Sequence, residues 1–161
     1  MAAVAATGDR RAIEPLVRAL TYNDAALYEV AVRGLAQIGE PAVEPLLACL
    51  DQIDYGARYH ALRALVAIGD ARARAAYEHW LAADIAPSVR RMCVKGLAAF
   101  PDGDRLVLVA LGDNEWSVRY TAIQALADRG LTPETRTAIE AKLTDAERVV
   151  RLKASQVLTH P

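Results

Sequence analysis

The chain has 161 residues, 53% of them hydrophobic but only 6% aromatic, and a formal net charge of −1. That length suits a single domain, here spanning 1–161, with an aliphatic, alanine-rich core, and such a composition favours closely packed helices. A nucleic-acid binder would carry a basic excess to neutralise phosphates, so the charge argues against that class. No apolar run is long enough for a membrane span, and no signal-peptide pattern opens the chain. Two distant cysteines without metal-ligand spacing fit a reducing, cytoplasmic compartment, with no disulfide framework and no metal site.

In chain order, Ala2-Ala3-Val4-Ala5-Ala6-Thr7-Gly8 reads first, as the tail of a helix whose beginning is absent (stub 1–8). Such an apolar end suggests either that the chain is a fragment of a longer protein or that this face meets another protein, self-association included, because solenoid ends normally carry polar caps. Helix pairs then follow. The first helix of each pair (A) is expected at about 10–20, 41–50, 71–83, 102–111 and 133–143. The second (B) is expected at about 25–38, 56–68, 88–99, 117–129 and 147–159.

Phrases recur between the pairs. Ile13-Glu14-Pro15-Leu16 returns as Val43-Glu44-Pro45-Leu46, and Leu35-Ala36-Gln37-Ile38-Gly39 as Leu65-Val66-Ala67-Ile68-Gly69. The phrase closes at Gly8, Gly39, Gly69, Pro101 and Gly130, in steps of 31, 30, 32 and 29 residues. A period near 30 signals stacked units, here about 9–39, 40–69, 70–100, 101–130 and 131–160. The expected fold is an all-α, right-handed α-solenoid of about five HEAT-like helix pairs. Pro41, Pro101 and Pro133 sit near A-helix starts, where a missing N–H is harmless. Gly39, Gly69 and Gly130 follow B helices, where left-handed caps are expected.

The B helices share the phrase Val118-Arg119-x-x-Ala122-Ile123-x-Ala125-Leu126, echoed around Arg58, Arg90 and Arg151. Asp84, Asp113 and Asp145 stand six residues before three of these arginines; for Arg58 the nearest acids are Asp51 and Asp54. An acid in the A–B loop and an arginine in the next turn suggest a structural ladder of ion pairs between adjacent repeats.

In a solenoid of this kind the B helices line the concave face. The ladder and core fix most B positions, leaving a stripe two, five and six residues before each B-helix leucine. That stripe carries Arg33, Arg63, Lys95, Gln124 and Gln156; Val30, His60, Met92, Thr121 and Lys153; Glu29, Tyr59, Arg91, Tyr120 and Leu152. Its cations crowd into the first three repeats of a slightly acidic chain. The candidate ligand- or partner-binding set is therefore Arg33, Tyr59, His60, Arg63, Arg91, Met92, Lys95, Tyr120 and Gln124. Arginine forks suit carboxylates, and aromatic and thioether groups suit extended conjugated rings. An acidic protein segment would fit the same stripe. His60 is the one candidate catalytic residue: it is either a proton shuttle with a near-neutral pKa or a polar face residue bonded to tyrosine or solvent. Cys49 and Cys93 read as small core residues.

The phrases Leu20-Thr21-Tyr22-Asn23-Asp24, Asp54-Tyr55-Gly56-Ala57-Arg58-Tyr59-His60 and Glu115-Trp116-Ser117-Val118-Arg119-Tyr120 carry a family likeness. Over residues 9–159 the chain resembles HEAT-like repeat proteins of the phycobilisome lyase type, in particular the F-type subunit of heterodimeric bilin lyases. The resemblance implies that the chain helps attach a linear tetrapyrrole, bound as substrate and not as a permanent cofactor, to a cysteine of a phycobiliprotein subunit. It also implies an E-type HEAT-repeat subunit as partner. The Asn-His-Cys motif of the lyase-isomerases is absent, so no bilin isomerisation is expected. The alternative is a non-catalytic HEAT-repeat adaptor that binds an acidic protein segment on its concave face.

Overall fold

A computed structural model describes residues 9–22 and 24–159, and these are helical with no strand among them. The 1–8 stub and His160 lie outside the described residues. The chain divides into two compact units, Met1–His79 and Trp80–Pro161.

The first unit holds two helix pairs: α1 (Ile13–Ala19) with α2 (Ala25–Ile38), and α3 (Val43–Cys49) with α4 (Tyr55–Ile68). Short 3-10 turns at Arg10–Ala12 and Glu40–Ala42 lead into α1 and α3. Pro15 and Pro45 fall in the first turns of α1 and α3, among amides that lack an intrahelical partner in any case. Each B helix starts on an aspartate. Asp24 Oδ1 accepts from the Ala26 and Leu27 amides at 2.8 and 3.1 Å, and Asp54 Oδ1 from the Ala57 amide at 2.9 Å. Such caps contribute about 1 kcal/mol apiece. Leu16, Leu20, Leu35, Leu46, Leu62 and Leu65 fill the core, and Ala31 and Ala61, fully buried, let α2 and α4 approach closely. Each buried leucine contributes about 1.5–3 kcal/mol.

Helix α5 (Arg74–Ala83) carries the unit boundary, and α6 (Pro87–Ala98) is the B helix that follows it. The second unit continues with α7 (Gly103–Leu108), α8 (Trp116–Arg129), α9 (Pro133–Glu140) and α10 (Arg148–Thr159). The B helices α6, α8 and α10 pack in succession on a core of Val89, Leu97, Val118, Ile123, Leu126 and Ile139. Helix α9 opens with a capping box in which Thr132 and Thr135 each satisfy the other's backbone amide. The expected helices thus form within a residue or two of their expected ends. The internal detail differs, since each A helix carries a 3-10 turn at one end.

The glycine caps are more varied than expected. Gly69 alone adopts the left-handed helical conformation, with φ 73° and ψ 22°. Gly39 and Gly130 pair positive φ values of 75° and 87° with ψ of −136° and 134°. That region is open essentially to glycine only, and the Gly39 and Gly130 amides still close their helices on the Leu35 and Ala127 carbonyls at 3.0 Å each.

Candidate functional site

The repeated arginines form the ladder, with a division of labour that spacing alone does not reveal. Arg90 Nη1 donates to the carbonyls of Asp84 and Ile85 in its own A–B loop, at 2.9 and 3.1 Å. Its Nε and Nη2 fork onto Asp113 of the following repeat at 2.8 Å each. Arg119 repeats the arrangement, with Nη1 on the Asp113 and Asn114 carbonyls and a fork onto Asp145 at 2.8 and 2.7 Å. Arg151 makes the carbonyl half, to Asp145 and Ala146 at 2.7 and 2.9 Å, and Arg58 bonds the Leu50 and Ile53 carbonyls. Burial pushes the Asp113 carboxyl up, but the Arg90 fork and the Glu115 amide outweigh it and hold the group below its ordinary range. The Arg119 fork does the same to Asp145 against a smaller burial effect. Arg90 and Arg119 thus join adjacent repeats, as the sequence suggests, while Arg58 and Arg151 brace the loops of their own repeats.

In the first unit, the stripe residues of α2 and α4 converge. His60 stacks on Tyr28, with ring centroids 4.1 Å apart and 21° between planes. Tyr59 meets the His60 ring edge-on at 5.1 Å, and the Arg63 guanidinium carbon lies 5.9 Å from the Tyr59 ring centroid. Arg63 forks onto Glu29 at 2.7 and 3.2 Å. Its Nη1 also lies 3.3 Å from His60 Nδ1. Arginine can only donate, so Nδ1 accepts and the imidazole proton sits on Nε2. Burial lowers the His60 pKa below 6.5, the Arg63 charge lowers it further, and Glu29 pulls the other way. His60 is therefore neutral at pH 7, with Nδ1 engaged and Nε2–H available to donate.

Tyr59, His60 and Arg63 thus meet as the helix spacing predicts. Arg63 differs from expectation in being paired: its fork is already filled by Glu29, a stripe residue from the preceding B helix. Tyr28 was not legible as a site residue, because its role depends on how α2 and α4 stack. Arg33 is exposed, and its Nε reaches only the Glu29 carbonyl of its own helix, at 3.3 Å.

In the second unit, Arg91 and Lys95 lie one turn apart on the exposed face of α6, as expected. Tyr120 is half-buried on α8, with the Lys153 ammonium 5.6 Å from its ring centroid. Gln124 donates to Asp128 one turn on. Met92 corrects the sequence reading: it is 7% exposed, part of the core and not of the open stripe. At the same register His60 stacks on Tyr28 within the first unit, and Lys153 is buried over Tyr120 within the second.

The cysteines are inert. Burial raises the Cys93 thiol far above neutrality and the Cys49 thiol to about 11. Cys49 Sγ donates to the Leu46 carbonyl, and neither cysteine is in a disulfide. Among the described residues no His, Cys, Asp or Glu group is placed to hold a metal ion, and no helix is long and apolar enough to cross a membrane.

Helix pairs joined by an arginine–aspartate ladder define a HEAT-repeat protein, and the pattern described as HEAT repeats matches residues 13–98 and 78–159. The bilin biosynthesis protein RpcF of Synechococcus is 39% identical over 166 residues, which span 91% of this chain and 79% of the relative. A phycocyanobilin lyase subunit beta of Nostoc is 37% identical over 164 residues, spanning 90% of this chain and 82% of the relative. A chain in the solved complex of CpcE and CpcF of phycocyanin lyase from Nostoc superposes with a TM-score of 0.83 at 35% identity, covering 92% of this chain and 99% of that one. This chain belongs to the HEAT-repeat subunits of phycobilin lyases.

Proposed function

We propose that this chain is the F-type subunit of a bilin lyase, holding a linear tetrapyrrole and presenting it to a cysteine of a phycobiliprotein in the cytoplasm, together with an E-type HEAT-repeat subunit. The observation that carries the reading is the Tyr28–Tyr59–His60–Arg63–Glu29 cluster in a chain of this family. It gathers flat aromatic surface, a guanidinium fork and a neutral imidazole N–H within one turn and its neighbour. A tetrapyrrole offers matching groups: a conjugated plane, propionate carboxylates and lactam carbonyls.

The bond to be made is a thioether. The acceptor thiol adds across an exocyclic double bond, its sulfur bonding one carbon and its proton ending on the other, with no oxidant or reductant needed. The incoming thiol belongs to the acceptor, in keeping with the buried or half-buried, protonated cysteines of this chain. His60, with Nδ1 occupied and Nε2–H free, suits donation to a lactam carbonyl better than shuttling the thiol proton. Holding two reactants in line can by itself supply as much as about 7–11 kcal/mol of barrier lowering.

The test is reconstitution. This chain, an E-type subunit and a phycobiliprotein acceptor are combined with a bilin, and covalent chromophore on the acceptor is read by absorbance of the denatured protein. Omitting this chain should abolish attachment above the spontaneous level. Equal attachment with and without it would overturn the reading.

A further inference from the structure

The helices of the second unit divide their charges unevenly. Its B helices α6, α8 and α10 carry eight arginines and lysines against one carboxylate, Asp128 in the last turn of α8. Arg90, Arg119 and Arg129 are paired with Asp113, Asp145 and Asp104, and Arg151 bonds its own loop. Arg91, Lys95, Arg148 and Lys153 have no carboxylate partner among the described residues. Lys153 is the informative one. Two cationic side chains among the described residues are only 8% exposed, Arg90 and Lys153. The first is forked by Asp113, whereas the second has no hydrogen bond among those residues. Its ammonium instead lies over Tyr120, 5.6 Å from the ring centroid, on the side of α10 turned to the preceding helix. A buried cation without an anion is unfavourable, and a tyrosine face offsets only part of the lost hydration.

We propose that this face of the second unit binds an acidic segment of a partner protein. Its carboxylates meet Arg91, Lys95 and the Lys153 ammonium, and its apolar side chains lie on Tyr120 and the exposed Trp116, one turn apart on α8. Spacing selects a chain over a small anion. Arg91 and Lys95 stand one turn apart on α6, while Lys153 reaches the face from α10, with α8 between. Packed helix axes lie about 8–10 Å apart, so no single carboxylate spans these cations, whereas successive acidic side chains of a polypeptide do. Charge selects protein over nucleic acid. The whole chain carries −1, so the surface beyond these three helices is acidic and repels a polyphosphate. The bilin cluster proposed above lies in the first unit, and this second site is independent of that reading.

The experiment is fluorescence anisotropy of a labelled peptide in which pairs of glutamates alternate with leucines, titrated with the full chain. Its glutamine–leucine counterpart is the neutral probe. Wild type is compared with Arg91→Gln/Lys95→Gln, with Lys153→Met, and with a control, Arg18→Gln/Arg105→Gln, which removes exposed cations from α1 and α7. Arg91 and Lys95 are exposed, so their double variant keeps the parent melting temperature and answers the objection that Lys153→Met disturbs packing. Wild type and control should bind the glutamate peptide, more weakly as salt rises, and should bind the neutral peptide roughly tenfold or more weakly. Both stripe variants should lose roughly tenfold in affinity for the glutamate peptide. No binding of that peptide by wild type, equal binding of the neutral peptide, or binding by either stripe variant within about twofold of wild type overturns the inference. So does displacement by biliverdin or by oligouridylate as readily as by unlabelled peptide, since the stripe is then a site for tetrapyrrole carboxylates or for nucleic acid. None of these results touches chromophore attachment, which reconstitution reads separately.

Discussion

A ligand carboxylate at the proposed site would compete with Glu29 for one guanidinium. Arg63 is forked by Glu29 and only partly exposed, so a propionate arriving at this cluster must share or displace that acid. Neutralising it with Glu29→Gln should tighten bilin binding several-fold. Arg63→Gln should weaken it by about 1.5–3 kcal/mol if the bond is largely desolvated. Fluorescence titration reads both, and weaker binding by Glu29→Gln would show that the acid helps hold the ligand. His60 offers an independent check. Its pKa should lie below 6.5, rise in Arg63→Gln and fall in Glu29→Gln, as followed by NMR titration of the ring. The sign of its stability effect follows: the folded state favours neutral His60, so that contribution is present above pH 6.5 and is lost as pH falls through the lowered pKa. Attachment rates should therefore be flat in this group's protonation above neutrality, and a rate that falls as His60 loses its proton would make the imidazolium, not the neutral ring, the working form.

The ladder operates at the scale of elements. Arg119 ties its own loop to α8 through two carbonyls and ties α8 to the next repeat through Asp145, whose side chain is only 6% exposed. Replacing it with Met leaves a buried carboxylate and two carbonyls without that donor, which should cost about 3 kcal/mol or more. Adding Asp145→Leu removes the stranded charge, and part of the loss should return. Chemical denaturation of the two single variants and the double variant tests this; strictly additive losses would mean that the pair is not coupled. Gly103 shows a related constraint on backbone. A Cβ there would sit 2.9 Å from the Leu97 carbonyl oxygen and 3.0 Å from the Arg129 guanidinium carbon. Arg129 fills the turn from below, donating to the Ala98 and Pro101 carbonyls and pairing with Asp104.

Across the whole molecule, the carboxylates that hold loops and repeats together share one titration. Asp9, Asp70, Asp113 and Asp145 all sit below the ordinary 3.8, Asp70 at about 2, each beside an arginine. Depressed carboxylates contribute stability that is present above their unfolded pKa and is lost as pH falls through the folded values. Thermal unfolding should therefore stay nearly level from neutrality down to about pH 5 apart from the His60 contribution, then drop steeply below about pH 4. In Asp113→Asn/Asp145→Asn that acid-side drop should be shallower, from a lower starting point. A profile as steep as the parent's would assign acid sensitivity to other groups.

What the sequence by itself determined was everything carried by short-range periodicity. The helices follow from the recurring Glu-Pro-Leu and Val-Arg-x-x-Ala phrases, the aliphatic core from leucines and alanines at helical spacing, and the ladder from an arginine and an aspartate at constant separation. The convergence of Tyr59, His60 and Arg63 is equally local, since residues three and four apart share a helix face whatever surrounds them. Only the tertiary structure decided which helix each side chain meets. Constant separation pointed to ion pairs between adjacent repeats, but it did not show that Arg90 and Arg119 also brace their own loops through backbone carbonyls while giving their charge to the repeat that follows. Met92 and Lys153 lay in register with an open stripe, yet both are buried. Arg63 looked available until Glu29, 34 residues away, closed on it. A helix phrase sets the angle at which a side chain leaves its axis; the neighbour it finds depends on how one helix is rotated and shifted against the next, and that is settled by the packing of the whole layer.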